Sequence, residues 1–298
     1  WPANYHLIGK DILTTHSVYW PTMLMSAKIP LPLGIFAHGW WLSGESKMSK
    51  SLGNVVDPLG LIEEYGVDPV RYYLMREMVL GQDANFTMES FIKRYNSDLA
   101  NDYGNLLSRV SNLLKKFFDG KIPRDEDDSP EGMVIKENGI KVVSDVWNHI
   151  ESMRVSEAIE TTLQYIRSVN KYMEIMAPWK LAKSDNDAAG KVLFTAAEAL
   201  RISAVLLASV MPNRTQIVLE TFNAAGSSLE WGGLTPGKSL NKHDVLFPRI
   251  DVKKLEKPSQ SNGKKTEQNN VITFDEFQNV ELKTAKVLEA EKVDSADK

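Results

Sequence analysis

The sequence predicts an α/β unit over residues 1–80, followed by an all-α bundle over residues 81–250. Short apolar runs alternate with helical patterns in the first part, whereas apolar residues recur every three or four positions in the second. A polar, lysine-rich stretch at 251–270 has the composition of a solvated linker. Residues 271–298 return to strand-like alternation, but they are too few to close a β-structure alone. We therefore expect two structural regions, an α/β unit and a helical bundle, and the truncated start of a third.

The α/β unit is predicted from the order of its segments. Residues 5–8 form a short apolar run that is typical of a buried strand, and residues 12–27 have the spacing of a helix. A second apolar run follows at 35–37, and a further helical segment spans 57–78. Two strands joined through a helix are typical of a parallel sheet.

The helical region is predicted to begin with one long amphipathic helix, which Gly120 should end. Its apolar residues, spaced three and four apart, are Ile92, Tyr95, Leu99, Tyr103, Leu106, Val110, Leu113 and Phe117. A second helix is predicted over 155–173. A third, over 188–211, is apolar on nearly all sides, so we expect it to be buried. Helices of this kind pack as a bundle.

Composition excludes several classes of protein. No cysteine is present, so disulfides and thiolate zinc sites are excluded within these residues. The longest apolar stretch, 202–211, is far shorter than the ~20 residues of a membrane span. The net charge of −4 argues mildly against a nucleic-acid binder, although a local basic stripe can still follow phosphates. The absence of cysteine fits a reducing cytosol, so a cytoplasmic location is the expectation.

The strongest chemical signal is the segment from Lys47 to Ser51. Lys47 and Lys50 lie among two hydroxyl groups, and the glycines at 44 and 53 predict a mobile loop. When ATP activates a carboxylate, extra negative charge develops on the α-phosphate. Ammonium groups placed over the phosphates stabilise that charge as it develops. The alternative is a solvated lysine turn, which explains most isolated pairs of lysines at this spacing.

The segment Lys47-Met48-Ser49-Lys50-Ser51 resembles the signature loop of class I aminoacyl-tRNA synthetases. Neighbouring stretches resemble the methionyl-tRNA synthetase family: Gly9-Lys10-Asp11-Ile12, His16, Trp20-Pro21, His38-Gly39-Trp40, Tyr65-Gly66-Val67-Asp68, Arg71-Tyr72-Tyr73 and Gln82-Asp83-Ala84-Asn85-Phe86. The resemblance covers essentially the whole chain. It implies the second half of a Rossmann-type catalytic domain, a helical anticodon-binding domain, a linker, and the start of an OB-fold that binds tRNA.

The resemblance also implies an activity and its ligands. ATP, with Mg²⁺, would activate methionine as methionyl-adenylate, and the methionyl group would then pass to tRNA-Met for initiation and elongation. The tRNA would be held at its anticodon loop and its acceptor end, and no membrane partner is expected. In this family the OB domain often forms homodimers, but only its first strands are present here. The alternative is a non-catalytic module that binds the anticodon, which has no use for an intact signature loop.

Four residues of the α/β unit receive roles from the resemblance. Gly9 would approach the ribose, Asp11 would pair with the ribose or the amino group, and His16 and Trp20 would line the methionine pocket. The catalytic residues would be Lys47 and Lys50, and the ATP-binding set would comprise Gly9, Asp11, Lys47, Met48, Ser49, Lys50 and Ser51. From the residues alone, a helix-start turn, a hydrogen-bonding histidine and a packed tryptophan remain open. His16 and Trp20 are four apart, so they are expected to meet on one helix face.

Three residues of the helical region are candidates for anticodon binding. Asn105 and Arg109 lie one turn apart on the polar side of the long helix, where an amide and a planar guanidinium suit an unpaired base. Pro178 is expected to open a helix whose first turn carries Trp179. The stretch 101–109 resembles the family's anticodon-binding helix, and Trp179 matches its stacking aromatic residue. Without the resemblance, a solvated polar face and a core anchor remain the alternatives.

The chain lacks two features of the family, and both would lie before Trp1. These are the HIGH motif of the ATP site and an insertion that commonly carries a cysteine-based zinc knuckle. We therefore expect an internal fragment of a longer protein, with zinc possible only in the upstream part and no metal site in these residues. Because half of the ATP site is missing, residues 1–298 alone are expected not to activate methionine.

Overall fold

The computed structural model describes most of the chain as far as residue 251; the described ranges are 1–44, 46–48, 55–224, 226 and 228–251. The chain divides into two compact units, Trp1–Ile250 and Asp251–Lys298. Only the first unit is described below, because the second lies outside the described residues except for Asp251. The predicted linker beyond Asp251 and the predicted OB-fold start therefore also lie outside them.

The first part of the chain forms a parallel pair of strands joined through helix. Strand β1 (His6–Gly9) pairs with β2 (Ile35–His38), with His6 opposite Ile35 and Gly9 opposite His38. The connection is helical in three consecutive geometries: a 3₁₀ turn, a π-helical turn and helix α1, which span Lys10–Ile12, Thr15–Tyr19 and Trp20–Ser26. The predicted strand, helix and parallel strand are confirmed, but the first strand is not buried as predicted: Tyr5 and Leu7 are exposed, and only Ile8 is buried.

A second, three-stranded sheet carries the start of the signature segment. Strand β3 (Trp41–Ser43) pairs antiparallel with β4 (Ser46–Lys47), and it pairs in parallel with β5 (Ala84–Phe86). The backbone of Lys47 lies opposite Leu42. Lys47 therefore stands at the end of a short hairpin that begins directly after Trp40.

The predicted helical segment 57–78 consists of two helices, α2 (Pro58–Tyr65) and α3 (Val67–Glu77). The side chain of Asp57 caps α2 by accepting a hydrogen bond from the backbone N–H of Leu59 at 3.0 Å. The break falls at Gly66, whose φ of +88° is a conformation that residues with a Cβ rarely adopt. The helical prediction for 57–78 is therefore confirmed, with a break at this one position.

The long amphipathic helix is confirmed, although its geometry is not uniform. It begins as α4 (Met88–Arg94), passes through a π-helical stretch (Tyr95–Gly104) and continues as α5 (Asn105–Phe117). Gly120 follows the end of the helix with φ +71°, and its N–H donates to the carbonyl of Leu114 at 3.0 Å.

Five further helices complete the bundle: α6 (Pro130–Glu151), α7 (Val155–Met176), α8 (Pro178–Leu181), α9 (Asn186–Leu207) and α10 (Pro212–Thr221). The predicted helices at 155–173 and 188–211 correspond to α7 and to the largely buried α9. The sequence analysis missed α6 and α10. Among the helices of the described residues, none is long and apolar enough to span a membrane.

Helix α3 is joined to the bundle by two side chains that the resemblance had included without a role. The guanidinium of Arg71 donates to the carbonyls of Ser209 and Val210, at 2.8 and 3.0 Å. The buried carboxylate of Asp68 accepts from the backbone N–H of Arg214 at 2.6 Å and from the side-chain amide of Asn213 at 3.1 Å. Both contacts satisfy polar groups at the junction of α9 and α10, so this motif holds the fold together.

The π-helical stretch is tied to α7 through Arg167. Its guanidinium donates to Asp102 at 2.8 Å, to Glu160 at 2.9 Å and to Asp98 at 3.2 Å. The buried carboxylate of Asp98 also accepts the hydroxyl of Tyr72 at 2.7 Å. These contacts fix the start of α5, where the first anticodon candidate is placed, relative to α3 and α7.

Candidate functional site

The turn that follows β1 places Gly9 and Asp11 at the carboxyl edge of the parallel sheet. Gly9 is paired with His38 at the end of β2. A Cβ on Gly9 would come within 2.5 Å of an Asp11 carboxylate oxygen, so the absence of a side chain permits this close approach. Asp11 is exposed. Ligands of α/β sheets bind outside this edge, so the carboxylate is available to a ligand there.

The rings of Trp1 and His6 connect His16 with Trp20, the two residues that the resemblance assigned to the methionine pocket. The ring of His16 lies 6.2 Å from that of His6, and the ring of Trp20 lies 6.2 Å edge-on from that of Trp1. Trp1 and His6 are themselves 6.1 Å apart. The four rings form one cluster, and an aromatic wall suits a thioether.

The histidine of this cluster also bonds within its own helix. The Nδ1 atom of His16 lies 3.0 Å from the carbonyl oxygen of Ile12. That hydrogen bond orients the ring, as expected for a structural histidine, and it leaves the other ring nitrogen for a different partner. The sequence analysis missed His6 and Trp1. A histidine within the otherwise apolar run at 5–8 was the only signal for His6, and nothing in the pattern pointed to Trp1.

Lys10, Trp40 and Asp83 belong to three of the stretches that resemble the family, and they meet beside the carboxyl edge of the β1–β2 sheet. The ammonium of Lys10 lies 2.6 Å from Asp83 Oδ1 and 4.1 Å from the ring centroid of Trp40. The same oxygen of Asp83 accepts the backbone N–H of Trp40 at 2.9 Å. The hydrogen bond from Lys10 lowers the pKa of the Asp83 carboxyl below its ordinary value. A Cβ on Gly39 would come within 1.9 Å of the carbonyl oxygen of Gln82, so the two backbones touch.

The signature segment is only partly described. The backbone of Lys47 belongs to β4, and the half-buried side chain of Met48 packs against the hydrophobic core. The remaining members, Ser49, Lys50 and Ser51, lie outside the described residues. Met48 therefore anchors the chain directly after Lys47, at the end of the hairpin. Across the part of the chain that the structure describes, no group of three or more His, Cys, Asp or Glu could hold a metal ion.

The anticodon candidates share one region of the bundle. Asn105 is exposed at the first position of α5, and Arg109 follows one turn later. The guanidinium carbon of Arg109 lies 5.4 Å from the ring centroid of Trp179, which is half-buried in α8 directly after Pro178. A cation at this distance from the face of a ring is attracted to it. The structure therefore brings Arg109 and Trp179 together from segments 70 positions apart in the chain.

Glu174 is a further residue of this region, and the sequence analysis missed it. Its carboxylate lies 3.9 Å from Arg109, and its side chain is 69% exposed. An ion pair this long and this exposed contributes little to stability. Its position near the end of α7, a few residues before Trp179, was the one available signal. The arrangement offers an unpaired base an amide edge, a guanidinium plane and an aromatic ring.

Comparison with known protein families agrees with this architecture. Residues 1–111 match the model for class I tRNA synthetases of the methionine group, and residues 122–265 match the model for the anticodon-binding domain of methionyl-tRNA ligase. These matches, with the parallel strands and the helical bundle, define a class I synthetase catalytic fragment followed by an anticodon-binding domain. The chain belongs to the methionyl-tRNA synthetase family.

Individual relatives support the same conclusion. The whole chain is 41% identical to the methionine–tRNA ligase of Thermotoga maritima and 40% identical to that of Bacillus subtilis, and it covers 48% of each. A crystal structure of the Mycobacterium tuberculosis methionyl-tRNA synthetase, bound by methionyl-adenylate, has a TM-score of 0.78 and 38% identity. That match covers 83% of this chain and 50% of the relative. The chain thus spans about half the length of the proteins that it matches.

Proposed function

We propose that this chain is part of a methionine–tRNA ligase that activates methionine with ATP and transfers it to tRNA-Met. The carrying observation is that Gly9, Asp11 and the Lys10–Asp83 pair meet at the carboxyl edge of the β1–β2 sheet, next to the hairpin that leads to the signature loop. Relatives with that name are about 40% identical over the whole chain. Translation takes place in the cytoplasm, so the proposal includes that location.

The proposed reaction has two steps. The methionine carboxylate attacks the α-phosphate of ATP, a carboxyl–phosphate bond forms, and pyrophosphate leaves. A terminal ribose hydroxyl of the tRNA then attacks the activated carbonyl, and AMP leaves. ATP enters as its magnesium complex, with the ion on the phosphates as part of the substrate. Lys47 and Lys50 stabilise the charge that develops on the α-phosphate, and no covalent nucleophile is required.

The proposed binding roles follow the predicted ones. Gly9 and Asp11 contact the adenosine and the amino acid, since both lie at the sheet edge where ligands bind. His16 and Trp20 form part of the methionine pocket through the ring cluster with His6 and Trp1. The signature segment, Lys47, Met48, Ser49, Lys50 and Ser51, binds ATP. Asn105, Arg109 and Trp179 bind the anticodon.

The domain limits at residues 80, 250 and 270 are likewise part of the proposal. So are the OB-fold start at 271–298, a homodimer formed through the complete OB domain, and a zinc site in an upstream insertion. These proposals rest on the resemblance of the chain as a whole to the family. The isolated chain is proposed to be inactive, because its relatives are about twice as long.

The proposal is tested by replacing Lys50 with alanine in the full-length protein and measuring methionine-dependent ATP–pyrophosphate exchange. Removing one group that stabilises a transition-state charge lowers kcat by roughly 100- to 1,000-fold, so exchange should fall by that factor. Lys93→Ala is the matched control, because Lys93 is exposed on α4. It should stay within about twofold of the unmodified protein.

The second candidate function is a module that binds the anticodon without catalysis. The Arg109–Trp179 contact favours it, because this contact needs no part of the ATP site. If the unmodified full-length protein binds tRNA-Met but shows no exchange with methionine, the module is correct and the ligase proposal fails. If exchange is present and survives Lys50→Ala unchanged, the ligase stands and the assigned role of Lys50 fails.

A further inference from the structure

No step of the proposed reaction uses the contact between Lys10 and Asp83. Both residues of this ion pair also contact Trp40, which an ordinary surface ion pair does not require. Lys10 makes a hydrogen bond of 2.6 Å to the carboxylate and also lies 4.1 Å from the ring centroid of Trp40. Asp83 uses the same oxygen to accept the backbone N–H of Trp40 at 2.9 Å. Each of the three residues therefore contacts the other two, so the position of each is fixed by two contacts.

These three residues stand where the two sheets come together. Lys10 directly follows β1, Trp40 directly precedes β3, and Asp83 directly precedes β5. The backbone of Ala84 also donates to the carbonyl of Trp40 at 2.9 Å, which begins the parallel pairing of β3 with β5. The triangle of side chains thus connects the end of one sheet to the start of the other.

The two ends of this connection carry different parts of the proposed site. On one side, Lys10 lies between Gly9 and Asp11, which are proposed to contact the adenosine and the amino acid. On the other side, β3 turns into β4 and leads to Lys47 within a few residues. The Lys10–Asp83–Trp40 contact is therefore one of the connections between the turn that carries Asp11 and the hairpin that contains Lys47.

We propose that Lys10 and Asp83 are positioning residues, which hold the turn carrying Asp11 in register with the hairpin that leads to the signature loop. This inference rests on the proposed function. Groups that stabilise a transition state act only when all of them are in place, and a displacement of about 1 Å can lower the rate by about 100-fold. Neither residue is assigned a contact with substrate.

A second ion pair in the same chain serves as the comparison. Lys136 and Glu126 are also 2.6 Å apart, with side chains 40% and 38% exposed against 35% and 33% for Lys10 and Asp83. Both members of that pair lie in the helical region. Since exposed ion pairs contribute little to stability, loss of either pair should leave the fold intact. Only loss of the Lys10 pair should change the rate of activation.

The test uses Lys10→Met, Asp83→Asn, the double variant, Lys10→Arg and the control Lys136→Met, all in the full-length protein. The values of kcat and KM for methionine and ATP are measured by pyrophosphate exchange, and thermal unfolding is recorded for each variant. Lys10→Met and Asp83→Asn should each lower kcat by about 10- to 100-fold, with KM for methionine changed less than about threefold. Lys136→Met should match the unmodified protein.

Two comparisons separate positioning from a purely structural role. Lys10→Arg keeps the cation near both Asp83 and the Trp40 ring, so it should recover most of kcat. The double variant should be no slower than the worse single variant, because residues that act through each other are not additive. Unchanged kcat in Lys10→Met overturns the inference. So does a loss that Lys10→Arg fails to recover, or a fall in kcat that follows a fall in the unfolding temperature.

The failure of the inference and that of the proposed function are distinguishable. An unmodified full-length protein without methionine-dependent exchange removes the proposed function, and the inference with it. A normal unmodified protein whose Lys10→Met variant is equally active removes the inference alone. The pair would then be a surface ion pair like that of Lys136 and Glu126.

Discussion

Replacing Trp179 with alanine removes the ring that lies 5.4 Å from the guanidinium carbon of Arg109. The change leaves the backbone of α8 intact, because alanine suits a helix and Pro178 still opens it. Arg109 loses the ring and, among the described residues, keeps the long contact to Glu174 at 3.9 Å. The proposed anticodon-binding surface thereby loses the ring on which a base would stack, and Arg109 loses the contact that orients it.

The magnitude follows from the two interactions that are lost. Stacking of a base on an aromatic side chain contributes about 1–3 kcal/mol. Since about 1.4 kcal/mol corresponds to a factor of ten, the dissociation constant for tRNA-Met should rise about 5- to 150-fold. Loss of the cation–π contact, about 0.5–1 kcal/mol at such a site, leaves Arg109 less well oriented and places the result in the upper part of that range.

The assay is titration of the full-length protein with tRNA-Met at one fixed salt concentration, because phosphate contacts make the affinity depend on salt. Aminoacylation and pyrophosphate exchange are measured beside it, and exchange should be unchanged. Trp147→Ala is the matched control, since Trp147 is 62% exposed on α6 of the same bundle. Equal losses of exchange and aminoacylation in Trp179→Ala, or equal weakening of binding in Trp147→Ala, would refute the reasoning.

Two further predictions concern the bundle itself. Glu198→Ala should lower the free energy of unfolding by about 3–5 kcal/mol, because Glu198 is fully buried and pairs with the buried Arg201 at 2.6 Å. Urea unfolding measures this against exposed Glu137→Ala, and a loss of under about 1 kcal/mol would contradict it. Burial alone would raise the pKa of Glu160, but two neighbouring arginines outweigh it and hold that pKa below its ordinary 4.5. The folded state therefore favours the ionised carboxylate of Glu160, so its contribution to the free energy of unfolding is present above pH 4.5 and is lost as the pH falls below that value. The variant Glu160→Gln should therefore lose less stability than the unmodified protein as the pH is lowered through this range. An unchanged dependence of the free energy of unfolding on pH would count against this.

Local patterns in the sequence predicted those parts of the fold that depend on local spacing. The parallel strands, the long helix ending before Gly120, and the helix opened by Pro178 all follow from apolar periodicity or from turn and cap residues. Helix α6 was missed because Gly132 and Gly139 weaken its helical pattern. A Cβ on Gly139 would come within 2.5 Å of the hydroxyl of Tyr165, so the glycine that obscures the helix is required by its packing.

The candidate sites also combine features that local sequence indicates with features that depend on packing. The resemblance assigned Asp11, His16 and Trp179 to binding sites because each lies within a recognisable stretch, and these roles remain predictions. Contacts between distant segments were not predicted: Lys10 meets Asp83 across 73 positions, and the carboxylate near Arg109 belongs to Glu174 on another helix. No periodicity encodes such contacts, since they arise only when separate elements pack. The predicted OB-fold start remains a prediction.

The π-helical stretch Tyr95–Gly104 changes the direction in which later side chains of the same continuous helix point. Each residue of an α-helix advances the side-chain direction by about 100°, and the wider π turn advances it by less. The length of the π-helical stretch therefore sets the direction, around the helix axis, in which Asn105 and Arg109 project. Adding or removing one residue there would turn the proposed anticodon-binding face of α5 away from Trp179 while leaving every residue of that face unchanged.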